Sequence, residues 1–312
     1  MKRILVIRFS ALGDVAMAVP VVRALAEQHP EVEITMLSQH RMADLFVGMP
    51  ENVCFHGVDL KQQSLREIVA GLGSYDLVVD LHGVWRSLYV RMRMRLHGAR
   101  VATIDKGRIA KRRLLRGVRT QLPHTTERYA DVFRRLGLPV VLTPTSVRNE
   151  GKGIGIAPFA AHKGKEYPIS RMEEIVRLLS KRDEEILLFG NREEAEILDG
   201  WAKRYKGVTS VAGHYTLLKE LEIMRGLRVI LTMDSANMHL ASLVGTRVVS
   251  IWGATHPKAG FLGFGQSESD CIQRELPCRP CSIYGKKKCK FGDYRCMQIA
   301  PEKIVENVLQ TE

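Results

Sequence analysis

Asp14 ends a short loop, Arg8-Phe-Ser-Ala-Leu-Gly-Asp14, that follows the apolar run Ile4–Ile7 and opens directly into a helical pattern. A strand, a turn holding Ser10, Gly13 and Asp14, and a helix start form the place where α/β proteins put phosphates and reactive groups. The turn is not G-x-G-x-x-G, so it is not a dinucleotide fingerprint. A carboxylate there repels a phosphate but can take a proton from a hydroxyl, and Gly13 lets backbone come close to a reacting centre.

Three loops in the second half suit a nucleotide. The first, Pro158-Phe-Ala-Ala-His-Lys-Gly-Lys-Glu-Tyr-Pro168, places Lys163 and Lys165 after a strand and before a helix. Two ammonium groups at that point suit a diphosphate, although an exposed basic loop has the same composition. In the second, Met233-Asp-Ser-Ala-Asn-Met-His239, Asp234 or Ser235 can cap the following helix, and its free N–H groups can hold a phosphate. Ser235 and His239 share a helix face, but without a G-x-S-x-G elbow a hydrolase pair is a poor reading, and a capped helix with a core histidine is the plainer one. The third, Gly190-Asn-Arg-Glu-Glu-Ala195, offers Glu193 and Glu194 for ribose hydroxyls, or as ordinary first-turn helix residues. All three fall at one end of the same sheet, which together marks a nucleotide-diphosphate site.

Cys278-x-x-Cys281, Cys289 and Cys296 make a further group. Four thiols at such spacing can hold a structural zinc, while reduced thiols and disulfides remain open, the latter disfavoured in a reducing cytosol. No base is visible beside them for cysteine catalysis.

The elements that position these residues alternate strand and helix. Strands are expected at Ile4–Ile7, Val32–Leu37, Val53–His56, Leu77–Leu81 and Arg100–Ile104, with helices starting near Val15, Arg41, Leu65 and Trp85. Pro139, Pro144 and Asn149-Glu-Gly-Lys-Gly153 read as a linker. A second alternation follows: strands Ile154–Ala157, Ile186–Phe189, Val208–Val211, Val229–Thr232 and Val248–Ile251, and helices Arg171–Lys181, Arg192–Tyr205, Thr216–Arg225 and Ala236–Val244. Near-continuous apolar strands between helices mean parallel sheets covered on both faces. The chain is therefore expected to be α/β, with two doubly wound domains at 1–150 and 151–312 and a ligand cleft between them. The last helix could return to the first domain.

The 312 residues carry a net charge of +13 and 45% hydrophobic residues, enough for two cores. No signal peptide and no apolar stretch of about 20 residues is evident, so the expected location is cytoplasmic. The charge is concentrated. Arg86, Arg91, Arg93, Arg95, Arg100, Lys106, Arg108, Lys111, Arg112, Arg113, Arg116 and Arg119 stand against Asp105 alone. Such a block implies an anionic partner or a solvated basic face. Few aromatics interleave with it and no DNA- or RNA-binding spacing occurs, so no nucleic-acid partner is expected.

Arg8-Phe-Ser-Ala-Leu-Gly-Asp-Val, Lys165-Glu-Tyr-Pro168, and Asp234-Ser-Ala-Asn-Met-His-Leu-Ala241 with Val249-Ser-Ile-Trp-Gly-Ala-Thr-His-Pro257 appear in this order along nearly the whole chain. In these motifs the sequence resembles glycosyltransferase family 9, the ADP-heptose:lipopolysaccharide heptosyltransferases. The cysteine segment also resembles one seen in many members. The resemblance implies a GT-B fold of two Rossmann-like domains facing a central cleft, with the acceptor on the first and the sugar nucleotide on the second. It implies inverting, metal-independent transfer of heptose from ADP-heptose to a lipopolysaccharide core or lipid A-linked acceptor, with no cofactor required. The lack of a D-x-D motif fits metal independence.

By position, Asp14 matches the family's general base and Lys165 the lysine at the diphosphate. Asp234, Ser235 and Ala236 match the phosphate-binding helix start, His239 its histidine, and Glu193 or Glu194 the ribose contact. Lys163 joins the donor site, and Ser10, Gly13, Arg86 and Arg128 the acceptor site. Two positions depart: Ala236 stands where the family often has glycine, and Ala11 removes one hydroxyl beside Ser10. The basic block would meet phosphates of the inner core at the inner face of the cytoplasmic membrane, as a peripheral contact, and domain closure would exclude water. The competing readings are a GT-B transferase or epimerase with another sugar nucleotide, and a non-catalytic basic anion-binding protein.

Overall fold

The computed structural model describes residues 2–118, 120–147 and 150–310. Arg119 of the basic block and Asn149 of the linker lie outside the described residues. The chain divides into two compact units, one of residues 1–106 and 125–144, the other of residues 107–124 and 145–312. The division therefore differs from a single cut at residue 150: residues 107–124 pack with the second unit.

The first unit is built on five parallel strands: β1 (Lys2–Ile7), β2 (Val32–Gln39), β3 (Val53–Val58), β4 (Leu77–Asp80) and β5 (Arg100–Thr103). Their spatial order is β3-β2-β1-β4-β5. The chain winds outward from β1 to β3, then returns to the other side of β1 with β4. In register, Ile7 lies beside both Leu37 of β2 and Asp80 of β4. The strands of this centre, Ile4–Ile7 and Leu77–Asp80, are almost wholly buried, as continuous apolar runs between two helical layers must be.

The helix expected from Val15 is divided. α1 spans Leu12–Ala16 and α2 Val19–Gln28, with Pro20 in the first turn of α2, where its missing N–H costs no hydrogen bond. α3 (Leu65–Ala70) begins with a capping box of Ser64 and Glu67, and α4 is Trp85–Leu96. The segment near Arg41 is a 3-10 helix, His40–Phe46. After the excursion through residues 107–124, which contains α5 (Arg108–Leu115), the chain re-enters this unit as α6 (Thr125–Arg134). Its tail is tied to the end of α2: Gln28 Nε2 donates to the Val141 carbonyl at 2.7 Å, and the Val141 N–H to Gln28 Oε1 at 2.9 Å.

The second unit has six parallel strands: β6 (Ile154–Ile156), β7 (Ile186–Leu188), β8 (Val208–Ser210), β9 (Val229–Met233), β10 (Arg247–Trp252) and β11 (Cys271–Gln273). Their order is β11-β10-β9-β6-β7-β8, so the winding reverses between β6 and β9. The helices are α7 (Ile169–Ser180), α8 (Ala195–Arg204), α9 (Leu217–Gly226), α10 (Ala236–Leu243) and α11 (Pro301–Leu309). The strand β11 and the helix α5 lie beyond the alternation expected from sequence. α11 packs on α7 and β9 within the second unit. Among the described residues no helix is long and apolar enough to cross a membrane.

Candidate active site

In each unit the chemically equipped residues gather at the reversal of the winding. Doubly wound sheets bind their ligands in the crevice beyond the carboxyl ends of the two strands that flank such a point.

In the first unit the crevice lies between the ends of β1 and β4. Asp14 sits in α1, and its Oδ2 is held twice, by Arg8 Nη2 at 2.5 Å and by the Ala11 N–H at 3.3 Å. Its Oδ1 makes no hydrogen bond among the described residues, and the side chain is one-third exposed. One oxygen is thus anchored and the other is open to a hydroxyl. Arg8 is buried, donates through Nη1 to the Leu81 carbonyl at 2.8 Å, and lies 5.9 Å from the Tyr129 ring centre. Burial opposes its charge, but Tyr129, Asp14 and Asp80 more than offset that and raise its pKa. The Tyr129 hydroxyl donates to the Asp14 carbonyl at 3.3 Å.

His82, two residues past β4, packs edge-on against Phe9. Burial first, and then the charge of Arg8, push its pKa down to about 4, so the ring is neutral at physiological pH. Its Nδ1 is buried without a partner among the described residues. Asp80, fully buried, accepts the N–H groups of His82 and Gly83 at 2.9 and 2.8 Å and so shapes this loop. Arg8, His82 and Tyr129 carry no role in the sequence reading. Arg8 and His82 could have been found as polar residues just beyond two apolar strands, whereas nothing in sequence links Tyr129 to Asp14. Of the residues expected at the acceptor, Ser10 is half-buried and Gly13 buried beside Asp14, Arg128 is buried in α6, and Arg86 is exposed with its guanidinium 4.8 Å from the Trp85 ring centre.

In the second unit the crevice lies between β6 and β9. Lys165 Nζ meets Asp234 Oδ2 at 2.8 Å, with both side chains largely buried. Asp234 therefore anchors Lys165 and does not cap α10. The N-cap position is Ser235, whose hydroxyl pairs with Thr232 Oγ1 at 2.9 Å, so no side chain caps the first turn of α10. An ammonium has three N–H donors, and the ion pair with Asp234 leaves them able to turn to a ligand. The loop under Lys165 depends on Gly285, at φ +74°: a Cβ there would stand 2.6 Å from Lys165 Cγ. The Tyr167 hydroxyl, donating to the Ile299 carbonyl at 2.7 Å, fixes the loop's far end.

Lys163 is exposed and paired with Glu166 at 3.0 Å. Glu194 accepts the Asn191 N–H at 2.8 Å, and burial raises its pKa. The exposed Glu193 carboxylate makes no hydrogen bond among the described residues. His239 is buried within α10, next to the core.

The basic block is not one solvated face. Arg91 is paired with Asp80 at 3.6 Å, and Lys106 Nζ donates to the Gly83 carbonyl at 3.0 Å. Lys111 is buried in the second unit, 4.5 Å from the Phe261 ring centre and 5.5 Å from that of Tyr284. Three of its cations thus hold structure.

The thiols of the cysteine segment lie within electrostatic reach of one another, Cys281 of Cys278 and Cys289, and Cys296 of Cys281 and Cys289. Among the described residues no three His, Cys, Asp or Glu side chains are grouped to hold a metal ion, and all six cysteines are free. The segment is organised instead by the buried Arg279, which donates to the carbonyls of Gly253, Arg274 and Thr255 and to Gln273 Oε1 at 2.5–3.0 Å.

Two parallel, doubly wound α/β units are the architecture of the GT-B fold. The model of glycosyltransferase family 9 (heptosyltransferase) matches residues 64–294, and the chain belongs to that family. Lipopolysaccharide heptosyltransferase 3 of Escherichia coli K12 is 25% identical, over 78% of this chain and 80% of its own. Among solved structures, the family 9 glycosyl transferase of Veillonella parvula aligns with a TM-score of 0.73 at 18% identity, covering 99% of this chain and 98% of its own. ADP-heptose lipopolysaccharide heptosyltransferase II of E. coli aligns with a TM-score of 0.69 at 20% identity, covering 99% and 97%.

Proposed function

We propose that this enzyme transfers a heptose from ADP-heptose to a sugar of the lipopolysaccharide inner core, by one displacement with inversion and without a metal ion. The observation that carries the reading is Asp14, with Oδ2 anchored and Oδ1 open. In this reading Oδ1 takes the proton of the acceptor hydroxyl as its oxygen attacks the anomeric carbon and the bond to the diphosphate breaks. A positioned base contributes about 10²–10⁴-fold. Arg8 and Ala11 keep the carboxylate from turning away. The neutral His82 offers a hydrogen bond to an acceptor hydroxyl without placing a second cation against Arg8.

Charge on the leaving diphosphate falls to the Lys165 ammonium and to the uncapped start of α10, at Ser235, Ala236 and beyond. Positive charge already fixed in this way does the work a divalent cation does in metal-dependent transferases. Lys163 adds charge at the loop, and His239 belongs to the same helix. Glu193 is the carboxylate open to the ribose hydroxyls, since Glu194 is engaged with Asn191. Ser10, Gly13, Arg86 and Arg128 belong to the acceptor side, and the enzyme works at the inner face of the cytoplasmic membrane.

The test is Asp14→Asn, assayed with ADP-heptose and an inner-core acceptor. The expected result is a fall in kcat of about 10²–10⁴-fold with donor affinity by calorimetry unchanged. A variant that folds, binds donor and turns over near the wild-type rate rejects Asp14 as base. Product configuration by NMR checks inversion, and turnover retained after chelation checks the absence of a metal requirement.

A further inference from the structure

Helix α4 has two apolar faces. Ser87, Val90 and Met94 are buried against the first unit. On the opposite side, Trp85, Leu88, Tyr89, Met92 and Leu96 are all exposed, Trp85 at 65% and Leu96 at 74%. At roughly 100° per residue these five fall within a stripe about 100° wide, half a turn from the buried face. Core packing does not explain them. Exposed arginines flank the stripe, Arg86 and Arg93 on one side and Arg95 on the other, and the helix holds no Asp or Glu. Neither Arg93 nor Arg95 pairs with any acid among the described residues. An apolar stripe bordered by cations, with an aromatic residue at one end, is the composition of a helix that lies in the headgroup region of a bilayer.

We infer that α4 docks this protein on an anionic lipid surface, with Trp85, Leu88, Met92 and Leu96 entering the interface and Arg86, Arg93 and Arg95 meeting lipid phosphates. Charge decides the occupant. A second copy of the chain on this stripe would bring like-charged borders together with no carboxylate on the helix to balance them. The first turn of α4 also follows the β4 loop that carries His82, so docking there holds the candidate acceptor site at the bilayer. The inference deepens the proposed function, because that surface carries the lipid-linked acceptor.

The test uses the whole protein and vesicles of phosphatidylcholine with or without phosphatidylglycerol. Trp85 is a built-in probe, because the other two tryptophans, Trp201 and Trp252, are buried. Wild type is expected to co-sediment with the anionic vesicles about tenfold or more tightly than with neutral ones, and its emission to shift to the blue. Leu88→Gln/Met92→Gln/Leu96→Gln, three exposed positions, is expected to lose the binding and the shift. Arg93→Gln/Arg95→Gln is expected to lose the preference for anionic lipid. Asp14→Asn is expected to bind vesicles like wild type, which separates docking from catalysis. With acceptor in vesicles the triple variant is expected to lose turnover about tenfold or more, and with a delipidated core oligosaccharide to keep it. Unshifted Trp85 emission with no co-sedimentation overturns the inference. So does a dimer in sedimentation equilibrium that the triple variant abolishes, which would assign the stripe to a second copy.

Discussion

Histidine 82 is neutral because the first unit surrounds it with apolar groups and a cation, and that has a consequence for stability. Its folded pKa, about 4, lies below the roughly 6.5 of an unfolded histidine. Between those values the unfolded chain binds the extra proton, so stability falls as pH drops through that window. After allowance for solvent screening of a partly exposed ring, the loss is on the order of 1–2 kcal/mol. Urea unfolding of wild type and His82→Gln at about pH 7 and about pH 4.5 checks it. The wild type is expected to lose more than the variant by that amount, and equal losses would rule out the buried neutral ring. The residues of this site were unequally legible. Asp14 stood out as a carboxylate in a strand–loop–helix turn, where its type and place sufficed. Its partner Tyr129 did not, because only the return of the chain through α6 brings that ring to the Asp14 carbonyl.

At the scale of elements, ion pairs decide how pieces are locked to the sheets. Arg247, at the start of β10, meets Asp270 just before β11, with Nη2 to Oδ1 at 2.5 Å and Nε to Oδ2 at 3.1 Å. Both side chains are about nine-tenths buried, and Arg247 also donates to the carbonyls of Gln310 and Asn307 at the end of α11. One guanidinium therefore clamps two strands and the last helix. Removing one buried partner leaves an uncompensated charge, so Asp270→Ala is expected to cost about 3–5 kcal/mol in urea unfolding. Asp270→Ala combined with Arg247→Met is expected to recover part of it. A loss below about 1 kcal/mol would show that the pair does not hold these elements together. Most strands were legible because parallel strands buried on both faces are apolar throughout. The short β11 carries only three residues, and α5 has four cations among eight residues with Leu114 as its one buried apolar side chain, so neither offers a long apolar pattern to read.

For the molecule as a whole, the proposed function assigns the donor's binding energy to the second unit, where Lys165 meets Asp234 just before α10. A ligand that binds only the folded state stabilises it in proportion to the logarithm of its concentration over Kd, about 2.7 kcal/mol at a hundredfold excess. Following from the proposed donor, ADP-heptose and ADP are expected to raise Tm more than UDP- or GDP-linked counterparts. Lys165→Ala is expected to diminish that shift. Thermal denaturation with each nucleotide measures it, and an equal or larger shift with UDP would overturn the adenine assignment. The net charge of +13 does not act as one field, because Arg91, Lys106 and Lys111 are spent on internal contacts while α4 keeps three arginines at its surface.

The amino-acid sequence by itself determined the α/β alternation, the strand–loop–helix turns and the identity of the residues in them, because periodicity and loop chemistry are local properties. It could place Lys165 and Asp234 at the ends of two strands but could not pair them, since that depends on β6 lying beside β9 in the finished sheet. Only the tertiary structure decided that pairing, the anchoring of one oxygen of Asp14 with the other left open, and which side of α4 is left without a core to cover it. Each depends on which elements become neighbours, and strand order is set by the packing of the whole sheet rather than by any segment of the chain.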